Sequence, residues 1–103
     1  MTTQSDEYDC PAEALLKQLS GKWKPQLLRI ASEEALRFNK LLKQLPGSTK
    51  QAIAVALKDL EEAGLLKREV IRQKPLHVEY YLTEKGKATI PLLSNLSEIA
   101  AKG

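Results

Sequence analysis

Arg37 to Leu66, RFNKLLKQLPGSTKQAIAVALKDLEEAGLL, is the stretch that decides how this chain folds. Phe38, Leu41, Leu42 and Leu45 recur at i, i+3, i+4 and i+7, so they share one face of a helix. Pro46-Gly47 stops that helix, because proline is disfavoured in a helix interior and glycine tolerates a left-handed exit. Ser48-Thr49 then offers hydroxyl caps for a second helix, and Gln51 follows Ser48 at the spacing of a capping box. Ile53, Ala56, Leu57 and Leu60 line one side of the second helix, and Gly64 ends it. Two amphipathic helices joined by so short a turn must fold together to bury their stripes, which predicts a helix-turn-helix over 38–63.

The side of the second helix opposite Ile53 and Leu57 carries Gln51, Val55 and Lys58, with Lys50 and Ala54 beside them and Ser48 and Thr49 at the tip. Amides, hydroxyls and ammonium groups there suit base edges and phosphates. An ordinary solvated face would look the same, and the residues after Gly64 separate the two readings. LLKREVIR (65–72) and LHVEYYL (76–82) read as strands joined by Gln73-Lys74-Pro75. In the second, Leu76, Val78 and Tyr80 fall on one face and His77, Glu79 and Tyr81 on the other. Lys67, Arg68, Arg72 and Lys74 mark this hairpin as basic, and a basic hairpin after a helix-turn-helix is the make-up of a winged helix, with the wing at 65–82.

Charge is distributed to match. The 103 residues carry a net charge of only +3, but Arg37 to Lys74 holds nine Lys or Arg against four Asp or Glu, leaving seven against nine elsewhere. The basic excess sits on the proposed reading head, as a nucleic-acid footprint requires. Hydrophobic content of 43% and charged content of 28% are those of a soluble globular chain. A chain this long is expected to form one domain with a small core that dimerisation can reinforce. One cysteine excludes an intrachain disulfide framework and fits a reducing cytosol. Without a signal peptide or a membrane-length apolar run, the expected location is cytoplasmic.

Residues 1–9 (MTTQSDEYD) are acidic and expected to form a flexible arm, with one folded unit over 10–103. Asp9 or Cys10 is placed to cap a first helix that starts at Pro11 and buries Ala12, Leu15, Leu16 and Leu19. Ser20-Gly21 breaks it. A further helix over 22–32 uses Trp23, Leu27 and Ile30 inwardly and tolerates Pro25 in its first turn. Lys22 and Lys24 are either solvated or touch phosphate. Thr83 caps a last helix, 84–101, whose apolar residues Ile90, Leu92, Leu93, Leu96, Ile99 and Ala100 exceed one core stripe. The surplus predicts a subunit interface through Leu92, Leu96 and Ile99. Pro91 is expected to kink this helix rather than end it.

Chemistry other than binding has little support. Cys10 and His77 are the only soft metal ligands and nothing near either completes a site, so neither metal nor cofactor is expected. Glu33-Glu34 and Glu61-Glu62 are adjacent on helices and diverge, so no catalytic pair and no enzyme is expected. His77 reads as an exposed strand residue. Tyr80 and Tyr81 point to opposite faces, one to the core, and form no stacking platform.

Four segments in register, CPAEALLKQLSGKWKPQLL (10–28), RFNKLLKQLPG (37–47), DLEEAGLLKRE (59–69) and VEYYLTEKG (78–86), resemble the HxlR family of bacterial winged helix-turn-helix transcription regulators. The resemblance implies a dimeric DNA-binding regulator, with a short strand near Ala35 to Arg37 that pairs with the wing. It also marks Cys10, the cysteine of a CPxE pattern that some members use as a redox or electrophile sensor, as a candidate sensor. A thiol at a helix N-terminus sees the positive end of the helix dipole, which favours thiolate, while Asp9 and Glu13 oppose it. A buried packing residue or a simple cap is the competing reading.

The expected fold is therefore mainly α with a small β-hairpin wing: a winged helix-turn-helix with extra N- and C-terminal helices. The expected function is a homodimeric regulator that binds double-stranded DNA at an inverted-repeat operator, with an unidentified small-molecule effector. Ser48, Thr49, Lys50, Gln51, Ala54 and Lys58 are the candidates for the groove. Arg37, Lys40, Lys67, Arg68, Arg72 and Lys74 are the candidates for phosphate. A winged helix used only to bind another protein is the alternative.

Overall fold

The computed structural model describes residues 11–102. In order these form α1 (Pro11–Gln18), α2 (Lys24–Ala31), α3 (Phe38–Gln44), α4 (Lys50–Glu62), β1 (Leu66–Arg72), β2 (His77–Leu82) and α5 (Glu84–Lys102). The fold is the expected one: helices around a helix-turn-helix, followed by a two-stranded antiparallel hairpin. The acidic arm and Cys10 lie outside the described residues.

Leu41 and Leu45 from α3 and its exit, and Ile53, Ala56, Leu57 and Leu60 from α4, are buried, with Phe38 and Leu42 packed partly against them. They meet Leu27 and Leu28 of α2, both fully buried, and Leu93 of α5. The apolar spacing read from the sequence is thus the spacing of the core. Pro46-Gly47 makes the turn, with Gly47 at φ +89°, where a side chain would be strained. Leu36 forms a single bridge to Tyr80, donating its N–H at 2.9 Å and accepting from Tyr80 N at 3.0 Å. In place of the short strand expected near Ala35 to Arg37, the structure has this one-residue bridge, which anchors the two-stranded hairpin against the helices.

Some local expectations are corrected. The cap of α4 is Thr49, whose Oγ1 accepts from Ala52 N at 3.1 Å; the residue three beyond it is alanine, so no capping box forms through Ser48 and Gln51. β2 starts at His77 rather than Leu76, which stays in the turn with 63% of its surface exposed. The second helix begins at Lys24, with Trp23 as its cap residue and Pro25 in the first turn. Leu19, just past α1, is buried and Leu15 of α1 partly so, but Ala12 and Leu16 are exposed, Leu16 to 55%. The α1 stripe reaches past the edge of the subunit's own core.

α5 runs on through Pro91 to Lys102. Its first turn grips the junction of α4 and β1. Thr83 Oγ1 donates to Gly64 O at 2.6 Å and accepts from Gly86 N at 3.0 Å, and Lys85 Nζ donates to Ala63 O at 3.0 Å. That ammonium group also sits at the negative end of the α4 dipole. Among the described residues no helix is long and apolar enough to cross a membrane.

Candidate nucleic-acid interface

The outward side of α4 is built by exclusion. With Ile53, Ala56, Leu57 and Leu60 buried, the 3.6-residue period leaves Lys50, Gln51, Ala54, Val55 and Lys58 in solvent, and all five are exposed. Lys24 Nζ lies 3.1 Å from Asp59 Oδ2 and 3.2 Å from Gln18 Oε1, which fixes α4 against α2 and α1. The helix is presented as a rigid rod whose exposed side carries polar and cationic groups from Lys50 to Lys58, while Glu61 and Glu62 fall at the far end.

At the tip the two hydroxyls differ. Thr49 is exposed and its oxygen serves as the cap, leaving its proton free to donate. Ser48 Oγ is buried and has no hydrogen-bond partner, so it faces the turn and not the solvent where the sequence reading placed it.

The register of the hairpin pairs Lys67 with Tyr81, Arg68 with Tyr80 and Glu69 with Glu79, and an irregularity between Val70 and Arg72 places Arg72 opposite His77. Directly opposed residues share a face. Lys67, Glu69 and Arg72 therefore stand with His77, Glu79 and Tyr81, whereas Arg68 lies on the face of Tyr80. The wing cations are exposed but split between two faces, with Lys74 in the turn. Arg68, Arg72, Lys74, Lys50 and Lys58 form no ion pair among the described residues. Lys67 lies 3.7 Å from Glu69 and Lys40 2.9 Å from Glu34, both exposed pairs of the kind that a phosphate can displace. Lys40, joined by Gln44, holds the Glu34 carboxyl below the usual carboxylate range. Arg37, at the start of α3, is exposed beside the wing turn.

One wing face carries a polar cluster that the sequence reading did not recognise. His77 is half-buried and its Nε2 sits 2.8 Å from Glu79 Oε2, while the Tyr81 hydroxyl donates to Glu79 Oε1. Accepting from Tyr81 and bonded to His77, the Glu79 carboxyl is held below its ordinary range; the Tyr81 hydroxyl, bound to that carboxylate, is pushed up. The alternation of 77, 79 and 81 on one face was the available signal. Its partners are each other, so His77 is a member of the cluster and not a free surface imidazole.

A second missed feature is an open cleft of about 270 Å³ along α4, lined by Lys17, Lys22, Trp23 and Val55 among others. The Lys22 ammonium rests 4.9 Å from the Trp23 ring centroid. Leu92, Leu96 and Ile99 share one line of α5 and are 44%, 48% and 65% exposed, uncovered by the subunit's own fold.

A helix-turn-helix with an anchored basic wing and an exposed polar second helix defines the winged helix-turn-helix regulators. The HxlR-like helix-turn-helix family matches residues 18–102, and this chain belongs to it. It is 41% identical over 93 residues to an HTH-type transcriptional regulator of Methanothermobacter thermautotrophicus, covering 90% of this chain and 71% of the relative. With the HTH-type transcriptional regulator YdeP of Bacillus subtilis it shares 36% over 99 residues, 95% of this chain and 77% of YdeP. The redox regulator HypR in its reduced form superposes with a TM-score of 0.81 at 33% identity, covering 90% of this chain and 92% of HypR. Reduced YodB, a transcriptional regulator from B. subtilis, gives 0.79 at 27%, covering 88% and 90%.

Proposed function

We propose that this protein is a cytoplasmic transcriptional regulator that binds double-stranded DNA sequence-specifically as a homodimer. The observation that carries the reading is the outward face of α4, where Lys50, Gln51, Ala54 and Lys58 stand exposed on a helix clamped from behind. Such a helix enters the major groove, and a wing of exposed cations beside it meets the backbone or the flanking minor groove. Gln51 and Lys50 would read base edges. Thr49, Arg37, Lys40, Lys67, Arg72 and Lys74 would hold phosphates, with Arg68 reaching a different strand segment from the other face of the wing. Ser48 supports the turn.

The exposed line of Leu92, Leu96 and Ile99 supports a two-fold pairing of α5 helices, and hence an inverted-repeat operator. Membership of the family and the kinship with HTH-type regulators support DNA over a purely protein-binding use. Retention on random duplex DNA, falling with added salt, tests this. A protein retained on no duplex at low salt, or retained with no salt dependence, is a protein-interaction module.

A second reading is favoured by the structural kinship with HypR, which is described as a redox regulator in reduced and oxidised forms. In it, Cys10 senses oxidants or electrophiles. As the single cysteine, it would form a disulfide between subunits or a mixed disulfide with a small thiol.

A further inference from the structure

Val55 is 52% exposed at the middle of a helix face whose other residues are Lys50, Gln51, Lys58 and the small Ala54, so it is the one large apolar side chain there. Gln51 precedes it by one turn and Lys58 follows by nearly one. On its other flank it lines the cleft that carries Lys17 and Lys22. Lys24, in the same cleft, is tied to Asp59 and Gln18. Burying an exposed isopropyl group is favourable wherever a partner offers an apolar surface. In a helix, valine holds essentially one rotamer, so contact costs it little side-chain freedom.

The surroundings select the partner. Lys17 and Lys22 in the cleft on one flank, and exposed Lys58 further along α4, favour an anionic surface over the apolar face of another protein. The wall of the DNA major groove is anionic at its edges and offers one apolar group, the C5-methyl of thymine. We infer that Val55 packs against a thymine methyl in the major groove and fixes an A·T pair, in one orientation, within each half-site. Lys17 and Lys22 would hold the phosphates that border the same groove. This rests on the proposed DNA-binding reading and names a base contact within it.

The test uses the full chain and duplexes selected from a random pool by the unmodified protein. Each thymine is replaced in turn by deoxyuridine, which removes the methyl and leaves every hydrogen-bonding group in place. At one position per half-site the replacement should weaken the unmodified protein roughly fourfold, the effect of exposing one methylene-sized group. Val55→Ala, a substitution at an exposed helical site, should bind the thymine and deoxyuridine duplexes equally at that position. A second selection with Val55→Ala should lose the thymine preference there while keeping the rest of the site. Equal weakening of both proteins at every position, or no weakening at any, overturns the Val55 contact while leaving DNA binding intact. A shift in sedimentation with Val55→Ala and unchanged base preference also overturns it and makes Val55 a subunit contact. If no duplex is selected, the DNA-binding reading itself fails, and the contact with it.

Discussion

Gly86 lies so close to Leu65 that a Cβ built on it would stand 2.2 Å from the Leu65 carbonyl oxygen and 2.9 Å from Leu82 Cδ2. The carbonyl is part of the backbone and already accepts from Thr83 N at 3.1 Å, so it cannot give way cheaply. This close approach lets the first turn of α5 sit on the junction between α4 and the wing. Gly86→Ala should therefore cost roughly 1–3 kcal/mol, the range for forced overpacking of a tight site. Urea unfolding measures it, and an unchanged midpoint would mean that α5 can slide off the junction freely.

The wing and α4 should fail differently. Replacing Arg72 and Lys74 with Ala should weaken binding to all duplexes and flatten the salt dependence by roughly 0.9 in slope per lost phosphate contact. Gln51→Ala should instead change preference at particular base pairs by about 1–3 kcal/mol. Titrations at several salt concentrations separate the two, and an unchanged slope in the wing variant would place the wing away from DNA.

The exposed α5 line predicts assembly. Leu96→Glu combined with Ile99→Glu introduces two like charges per subunit into the proposed two-fold contact, so this variant should sediment as a monomer at micromolar concentration and bind a single half-site weakly. A monomeric unmodified protein under the same conditions would contradict the homodimer. Both side chains are exposed, so the subunit's own fold should survive the change.

The wing cluster predicts a pH dependence with a definite sign. Glu79 has a lowered folded pKa, so its contribution is present above the unfolded value, about 4.3, and is lost as pH falls through the folded one. Tyr81 has a raised folded pKa, so its contribution is present below about 10 and is lost as pH rises through the folded one. Glu79→Gln should therefore lose less stability than the unmodified protein on going from about pH 5 to pH 3. Chemical unfolding at several pH values reads this as a difference between two curves; parallel curves would leave Glu79 without a role in acid sensitivity.

Cys10 yields the last prediction. Diamide or a quinone should alter duplex binding by the unmodified protein and leave Cys10→Ser unaffected. Mass spectrometry should find the adduct or the intersubunit disulfide on Cys10. If both proteins respond alike, or the thiol stays unmodified, Cys10 has a packing or capping role.

The sequence by itself determined the elements and their inward faces. Leu41, Leu45, Ile53, Leu57 and Leu60 are buried where a 3.6-residue period puts them, because a short Pro-Gly turn leaves their helices no other way to leave water. Leu36 and Tyr80 pair where the family resemblance implied. The alternation of β2 gave the faces of Tyr80 and Tyr81, and the excess of apolar residues in α5 foretold an uncovered line. What depends on hydrogen-bond geometry between segments was decided only in the tertiary structure. Two adjacent hydroxyls, Ser48 and Thr49, are equivalent as text, and the path of the turn makes Thr49 the cap and turns Ser48 inward. Lys67, Arg68 and Arg72 read as one basic patch until the irregularity at Ile71 and the pairing register divide them between faces. His77 looked free until the pleat brought it onto Glu79. Gly86 carries no signal in its own neighbourhood, since its necessity comes from a carbonyl twenty-one residues earlier that packing alone brings against it.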